Sequence, residues 1–331
     1  FHAFLMLMLL GGIAQAALPA HELTVTVDPL GTERSEYPVE VSLDLTAYMG
    51  TLTGTLDPAT FVVVETDGEG NDLNAAVPFQ FDPDPAFDGA ANAVGTLVFI
   101  PADAETGLPE EKAWPEGIRT FKVLFDVVGG CPDCPGPPAV PVPVTVDSLT
   151  YENQDTYLVG TPGGDWYYHK DGGGFASLID ADAQDWISFH DIPGSRTAGE
   201  YRGIPNLIYE PGSDSYFHPG FTNATTELVS HGPLKVVVRS VTDDPGNRWV
   251  LRWDFYPRFS RLTVEEVGIS NGGDYWFLYE GTVGGALDAG DIVVRSDGTQ
   301  TSAFDNSERW EEAVADPEWV YFRDTAASRY L

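Results

Sequence analysis

Four of the six histidines, His169, His190, His218 and His231, fall in or just beyond residues 165–222. Around them stand Lys170, Asp171, Glu200, Tyr201, Arg202 and Asn206, interleaved with glycines, prolines and aromatics. Histidine titrates near neutrality and arginine pairs in bidentate fashion with carboxylates, so the mixture suits acid–base work on a polar, ionisable ligand. Three chemistries are open. β-Elimination at a uronic acid needs a cation on the carboxylate, a base for the C5 proton and an acid for the leaving oxygen. Arg202 fits the first role, and Tyr201, His169 and His218 fit the other two. Hydrolysis needs two facing carboxylates instead, for which Glu200 and Glu280 are the candidates, both in Gly- and Tyr-flanked strings. Epimerisation would pair a histidine acid such as His218 with a carboxylate base such as Glu280.

Sugars are held by aromatic faces that cover the apolar side of the ring, with charged and amide groups on the hydroxyls. Trp166, Tyr167, Tyr168, Trp186, Tyr201, Tyr216 and Phe217 lie beside Lys170, Glu200, Arg202, Asn206 and His218, and Lys170, Trp186, Glu200, Asn206 and Glu280 are read as substrate-binding. A competing reading makes the aromatics sandwich core, favoured for Trp249, Trp253, Phe255 and Trp276. Arg202 beside Glu200 reads nearly as well as a strand ion pair as it does as a ligand group, and His231 in Ser-His-Gly-Pro reads as a turn residue. No H-x-H or H-E-x-x-H spacing supports a metal on His169, His190 and His218, and no cofactor is expected.

These residues need a scaffold, and the chain offers strands. Alternating apolar and polar residues predict strands at 23–27, 39–45, 61–65, 96–100 and 120–125, then at 234–240, 249–256, 261–267, 275–279 and 292–295. Turn residues separate the runs, which is the pattern of antiparallel sandwiches. Only 308–314 reads as a short helical turn. The fold class expected is therefore all-β: an N-terminal antiparallel β-sandwich at 18–128, a Pro/Gly linker at 129–146 and a larger antiparallel β-sandwich at 147–331. The acidic loops Asp67-Gly68-Glu69-Gly70-Asn71-Asp72 and Asp82-Pro83-Asp84-Pro85 offer oxygen ligands to a structural calcium, but the first lacks the terminal Glu of a full calcium loop.

Composition narrows the partners. With 51 acidic against 17 basic residues the net charge is −34, a field that repels nucleic-acid phosphates and anionic lipid headgroups. Only four lysines are present, and a Lys-poor acidic surface stays hydrated in high salt, as in a saline or marine habitat. Residues 1–17 form an apolar run ending in Ala14-Gln15-Ala16, the shape of a secretory signal with a small-x-small cleavage site. Export to the extracellular space or periplasm is expected, with no membrane association beyond the export signal. Both ends read as truncated. Cys131 and Cys134 are the only cysteines; prolines around them forbid the helix a redox motif needs, so a small disulfide loop is expected. The Asn223-Ala224-Thr225 sequon has meaning only in a glycosylating host.

Five segments of the second half, Lys170-Asp171-Gly172-Gly173-Gly174-Phe175, Asp185-Trp186-Ile187, Glu200-Tyr201-Arg202-Gly203-Ile204-Pro205-Asn206, Trp253-Asp254-Phe255-Tyr256-Pro257 and Trp276-Phe277-Leu278-Tyr279-Glu280-Gly281-Thr282, resemble the galactose-mutarotase-like superfamily. That resemblance spans about 151–297 and implies a β-supersandwich of the kind found in sugar epimerases, polysaccharide lyases and glycosidases. It transfers no catalytic signature, and fold likeness does not assign a reaction. Residues and resemblance together lead to the expectation of a secreted carbohydrate-active protein with a polysaccharide or oligosaccharide partner, a polysaccharide lyase first, a glycoside hydrolase or epimerase next, and a non-catalytic sugar-binding module as the other class.

Overall fold

The computed structural model describes residues 18–28, 37–67, 69–74, 77–101, 118–136, 138–140, 143–187, 224–242, 248–268, 289–302 and 319–325. At 206–209, 243–244, 247, 269, 275–278 and 329–330 it describes the backbone alone. The fold is all-β and antiparallel, and the chain divides into two compact units, Phe1–Val140 and Pro141–Leu331.

The first unit contains β1 (His21–Val27), β2 (Val39–Asp44), α1 (Thr46–Met49), β3 (Leu56–Thr66), β4 (Asp72–Asn74), β5 (Phe79–Pro83), β6 (Val94–Phe99) and β7 (Arg119–Val127). Two sheets, ordered β1-β7-β3-β4 and β2-β6-β5, pack their apolar faces together. Alternation puts Phe61, Val63, Phe121, Val123 and Phe125 of one sheet against Leu43, Phe79, Leu97 and Phe99 of the other. Burying each such side chain stabilises the fold by about 1.5–3 kcal/mol. Gly95 is required by close approach, since a Cβ there would sit 2.3 Å from the Phe81 ring. The one-turn helix α1 was not expected from the sequence. It follows Asp44, whose Oδ1 accepts the Thr46 amide at 3.0 Å. Beyond β7, Cys131 and Cys134 are joined by a disulfide.

The second unit begins with two hairpins: β8 (Thr145–Tyr151), β9 (Gln154–Thr161), β10 (Gly164–His169) and β11 (Gly174–Asp180). After β12 (Asn206–Tyr209) comes a meander of β13 (Ala224–His231), β14 (Val236–Asp244), β15 (Asn247–Phe255) and β16 (Ser260–Ile269). Then follow β17 (Tyr275–Leu278), β18 (Asp291–Arg295), β19 (Gln300–Ser302), β20 (Val320–Asp324) and β21 (Arg329–Tyr330). Sheet β11-β10-β9-β8 packs on sheet β13-β14-β15-β16. Between them lies an aromatic core of Tyr168 and Phe175 against Trp253 and Phe255, with Phe175 edge-on to Trp253 at 4.9 Å. Trp249 and Trp253 are both interior, as the core reading of those residues expected.

A buried polar link fixes the two sheets in register. The Tyr168 hydroxyl is 2.7 Å from Ser240 Oγ, which is 2.8 Å from Thr226 Oγ1, and that hydroxyl donates to the Lys170 carbonyl at 2.6 Å. Complete burial pushes the Tyr168 phenol far above its ordinary value.

Candidate functional site

No strand was predicted over residues 165–180, yet Gly164–His169 and Gly174–Asp180 form β10 and β11 with a tight turn between. The reason is local. In β10 Trp166 and Tyr168 alternate with Tyr167 and His169, while in β11 a bulge at Ala176 leaves Phe175 and Leu178 on the core face and turns Ser177 to the other. Gly173 closes the turn at φ +65, where a Cβ would meet Ala224 at 3.0 Å, and its amide donates to the His169 carbonyl at 2.9 Å. The inner face of this sheet carries Trp166 and Tyr168. The outer face carries Tyr167 and His169, with Ser177 directly across from Tyr167.

On that outer face polar groups converge. After β11 the chain doubles back through a turn in which Asp180 Oδ1 accepts the amides of Asp182 and Gln184, both at 2.9 Å. This sets Asp185 in a bridge with Ile179 and beside Ser177. Ser177 Oγ donates to Asp185 Oδ2 at 2.6 Å, so its remaining partner, the Tyr151 hydroxyl at 2.9 Å, donates in turn to Ser177. The result is a row from phenol to hydroxyl to carboxylate, drawn from β8, β11 and the segment after it. Tyr151 also packs on Tyr167, with ring centroids 4.2 Å apart and both rings half-buried.

The Tyr167 phenol lies above its ordinary value of 10.0, first through burial and then through the negative charge of Asp165 and the neighbouring Tyr151 and Asp185. A phenol holds its proton at neutral pH even at its ordinary value, and the upward direction strengthens that hold. His169 is 0% exposed, its ring 6.4 Å from that of Tyr151. It cannot touch a polymer from there.

The other expected residues divide sharply. Lys170 turns to the inner-face rim, 3.0 Å from Asp155 Oδ1 and 3.1 Å from Ser148 Oγ, with its ammonium over the Tyr157 ring at 4.2 Å. Trp186 is buried against Leu178, and its indole nitrogen donates to Asp180 Oδ2 at 3.0 Å, so its surface is given to packing. Trp166 and Tyr168, read as sugar-stacking residues, pack in the core region as well. His231 is the last residue of β13, exposed at the rim of an open pocket of about 350 Å³ with Val144, Asp147 and Val236. Asn206 opens β12, whose backbone pairs with β17 so that Asn206 lies opposite Leu278. Glu200, Tyr201, Arg202, His218 and Glu280, with His190 and the expected helical turn at 308–314, lie outside the described residues.

Tyr151, Ser177 and Asp185 were missed as site residues. Strict alternation offered little signal for Ser177, because through 175–179 it would set Ala176 opposite Tyr167, and only a bulge after Phe175 brings Ser177 there. The return of Asp185 depended on an Asx turn, which four loop residues do not advertise. Among the described residues no group of three or more His, Cys, Asp and Glu is placed to hold a metal. Asp67 spends Oδ1 on the amides of Glu69 and Asn71. No helix of the described residues is long and apolar enough to cross a membrane. In comparisons with known proteins, the chain matches no family model, no curated protein and no solved structure.

Proposed function

We propose that the protein is exported and acts on an acidic polysaccharide, and that its second unit cleaves the chain by β-elimination. The observation that carries this reading is the hydrogen-bonded row Tyr151, Ser177, Asp185 beside the protonated, half-exposed phenol of Tyr167 on one sheet face. Tyr167 protonates the leaving oxygen, and the Tyr151 ring covers the apolar side of a sugar. Arg202 takes the uronate carboxylate, and Tyr201 or His218 removes the C5 proton. A net charge of −34 repels a polyanion at long range, and salt reduces that penalty by shortening the reach of the field.

A second reading, a sugar-binding module without turnover, is favoured by one observation: two of the residues first read as site groups, His169 and Trp186, are buried in the unit. Tyr167→Phe and Asp185→Asn separate the two. Under the lyase reading Tyr167→Phe lowers kcat by about 10²–10⁴-fold, the usual worth of a positioned acid, with binding retained. Binding to the same glycan with no turnover by the parent protein decides for the module.

A further inference from the structure

The hydrogen-bonded row on the outer face of sheet β11-β10-β9-β8 has a direction, and that direction decides what it shows a ligand. Asp185, as a carboxylate, can only accept, so Ser177 Oγ gives its one proton to Asp185 Oδ2 at 2.6 Å. Ser177 is completely buried and accepts from the Tyr151 hydroxyl, 2.9 Å away. Tyr151 therefore turns its only proton inward. Its oxygen presents lone pairs, and no donor, to anything that approaches the face. The inner end of the row is fixed as well, because Asp185 Oδ1 accepts the Ile187 amide at 3.0 Å and leaves Oδ2 for Ser177.

The second phenol has the opposite character. Among the described residues nothing takes up the Tyr167 hydroxyl, so its proton is available to a ligand. The Tyr151 and Tyr167 rings pack with centroids 4.2 Å apart, and both are half-buried. An acceptor and a donor thus stand side by side on one partly exposed aromatic surface.

We propose that Tyr151 selects a glycan residue with a free hydroxyl beside the oxygen that Tyr167 engages, and so discriminates against the same polymer when that hydroxyl is O-acetylated. A linking ether oxygen can only accept, which suits Tyr167. A free sugar hydroxyl next to it gives its proton to Tyr151. An ester at that position has no proton to give and leaves the Tyr151 oxygen facing another acceptor, so the bond is lost and both groups stay unsatisfied. The selection rests on the reading of the protein as one that handles an acidic polysaccharide, and it names the substitution pattern of that polymer.

The test is affinity electrophoresis of the full chain in polygalacturonate and in alginate, each plain and chemically O-acetylated, run beside the ultraviolet assay for unsaturated uronate. The parent protein is expected to bind a plain polymer about tenfold tighter than its acetylated form, the scale of one hydrogen bond left unmade. Tyr151→Phe removes the oxygen alone and is expected to abolish that preference. Asp185→Asn reverses the row: the amide oxygen keeps the Ile187 amide, the amide nitrogen donates to Ser177, Ser177 donates to Tyr151, and the Tyr151 proton turns outward. This variant is expected to prefer the acetylated polymer, whose ester carbonyl accepts. A purely structural role for either residue would weaken both forms alike and leave the preference unmoved. Equal binding of plain and acetylated polymer by the parent, no binding of either polymer, or a preference that either variant leaves unchanged overturns the inference. Turnover of an acidic glycan beside equal binding of both forms condemns the selection alone, while a Tyr151-dependent preference without turnover sustains the selection and condemns the lyase reading.

Discussion

Glu65 and Arg119 form an ion pair inside the first sandwich, and breaking it from one side gives a large, calculable effect. Arg119 Nε and Nη2 each donate to a different oxygen of Glu65 at 2.6 Å, and the side chains are only 2% and 5% exposed. The guanidinium also lies 5.6 Å from the Phe121 ring centroid. Glu65→Ala leaves a buried cation whose desolvation is no longer offset, a change that costs about 3–5 kcal/mol. With an unfolding entropy of about 2.1 cal/mol/K per residue, a sandwich of roughly 120 residues loses about 4 °C per kcal/mol, so Tm of the first unit falls by about 12–20 °C. Glu65→Leu combined with Arg119→Leu removes both charges and is expected to recover most of that loss, because well-packed apolar pairs match buried ion pairs in stability. Differential scanning calorimetry of the full chain reads both. A Glu65→Ala transition within about 3 °C of the parent refutes the reasoning, and so does a double variant as unstable as the single one.

Further outcomes follow from the same geometry. Tyr168→Phe removes the 2.7 Å contact with Ser240 but leaves Ser240 its Thr226 partner, so urea denaturation is expected to show a loss of about 1 kcal/mol. Tyr167 and Tyr168 both have folded values above their unfolded value of 10.0, so the native state holds more protons there. Their contribution to stability is full below pH 10 and is lost as pH rises beyond it; Tyr168→Phe is expected to flatten that alkaline slope, and an unaltered slope contradicts the assignment. Reducing the Cys131–Cys134 bond opens a loop of only four residues, for which loop-closure entropy gives at most about 2 kcal/mol. Calorimetry with and without reductant checks this, and unfolding of the first unit on reduction would contradict it.

The strands with the cleanest alternation were legible in the chain. The runs at 39–45, 96–100 and 120–125 became β2, β6 and β7, because apolar residues at every second position can be satisfied only by burying one face. The hairpin β10–β11 was hidden by the chemistry-bearing residue types that made it look like loop. Tyr167 and His169 occupy strand positions whose outward face is polar, so residue type pointed to function while spacing pointed to structure. The site was less legible than the scaffold, because convergence is a tertiary fact. Nothing in the sequence distance between Tyr151, Ser177 and Asp185 states that a turn built on Asp180 brings them into one hydrogen-bonded row. His169 shows the opposite failure, a titratable residue in a turn-rich string whose side chain the sheet buries completely.

The most direct test of the proposed reaction is ultraviolet absorbance of unsaturated uronate while the full-length protein is incubated in high salt with acidic and neutral polysaccharides. The account predicts a rise on an acidic polymer alone, slowed by Tyr167→Phe and abolished by Arg202→Ala. No rise on any acidic polymer, or a rise that both variants reproduce at the parental rate, would contradict it.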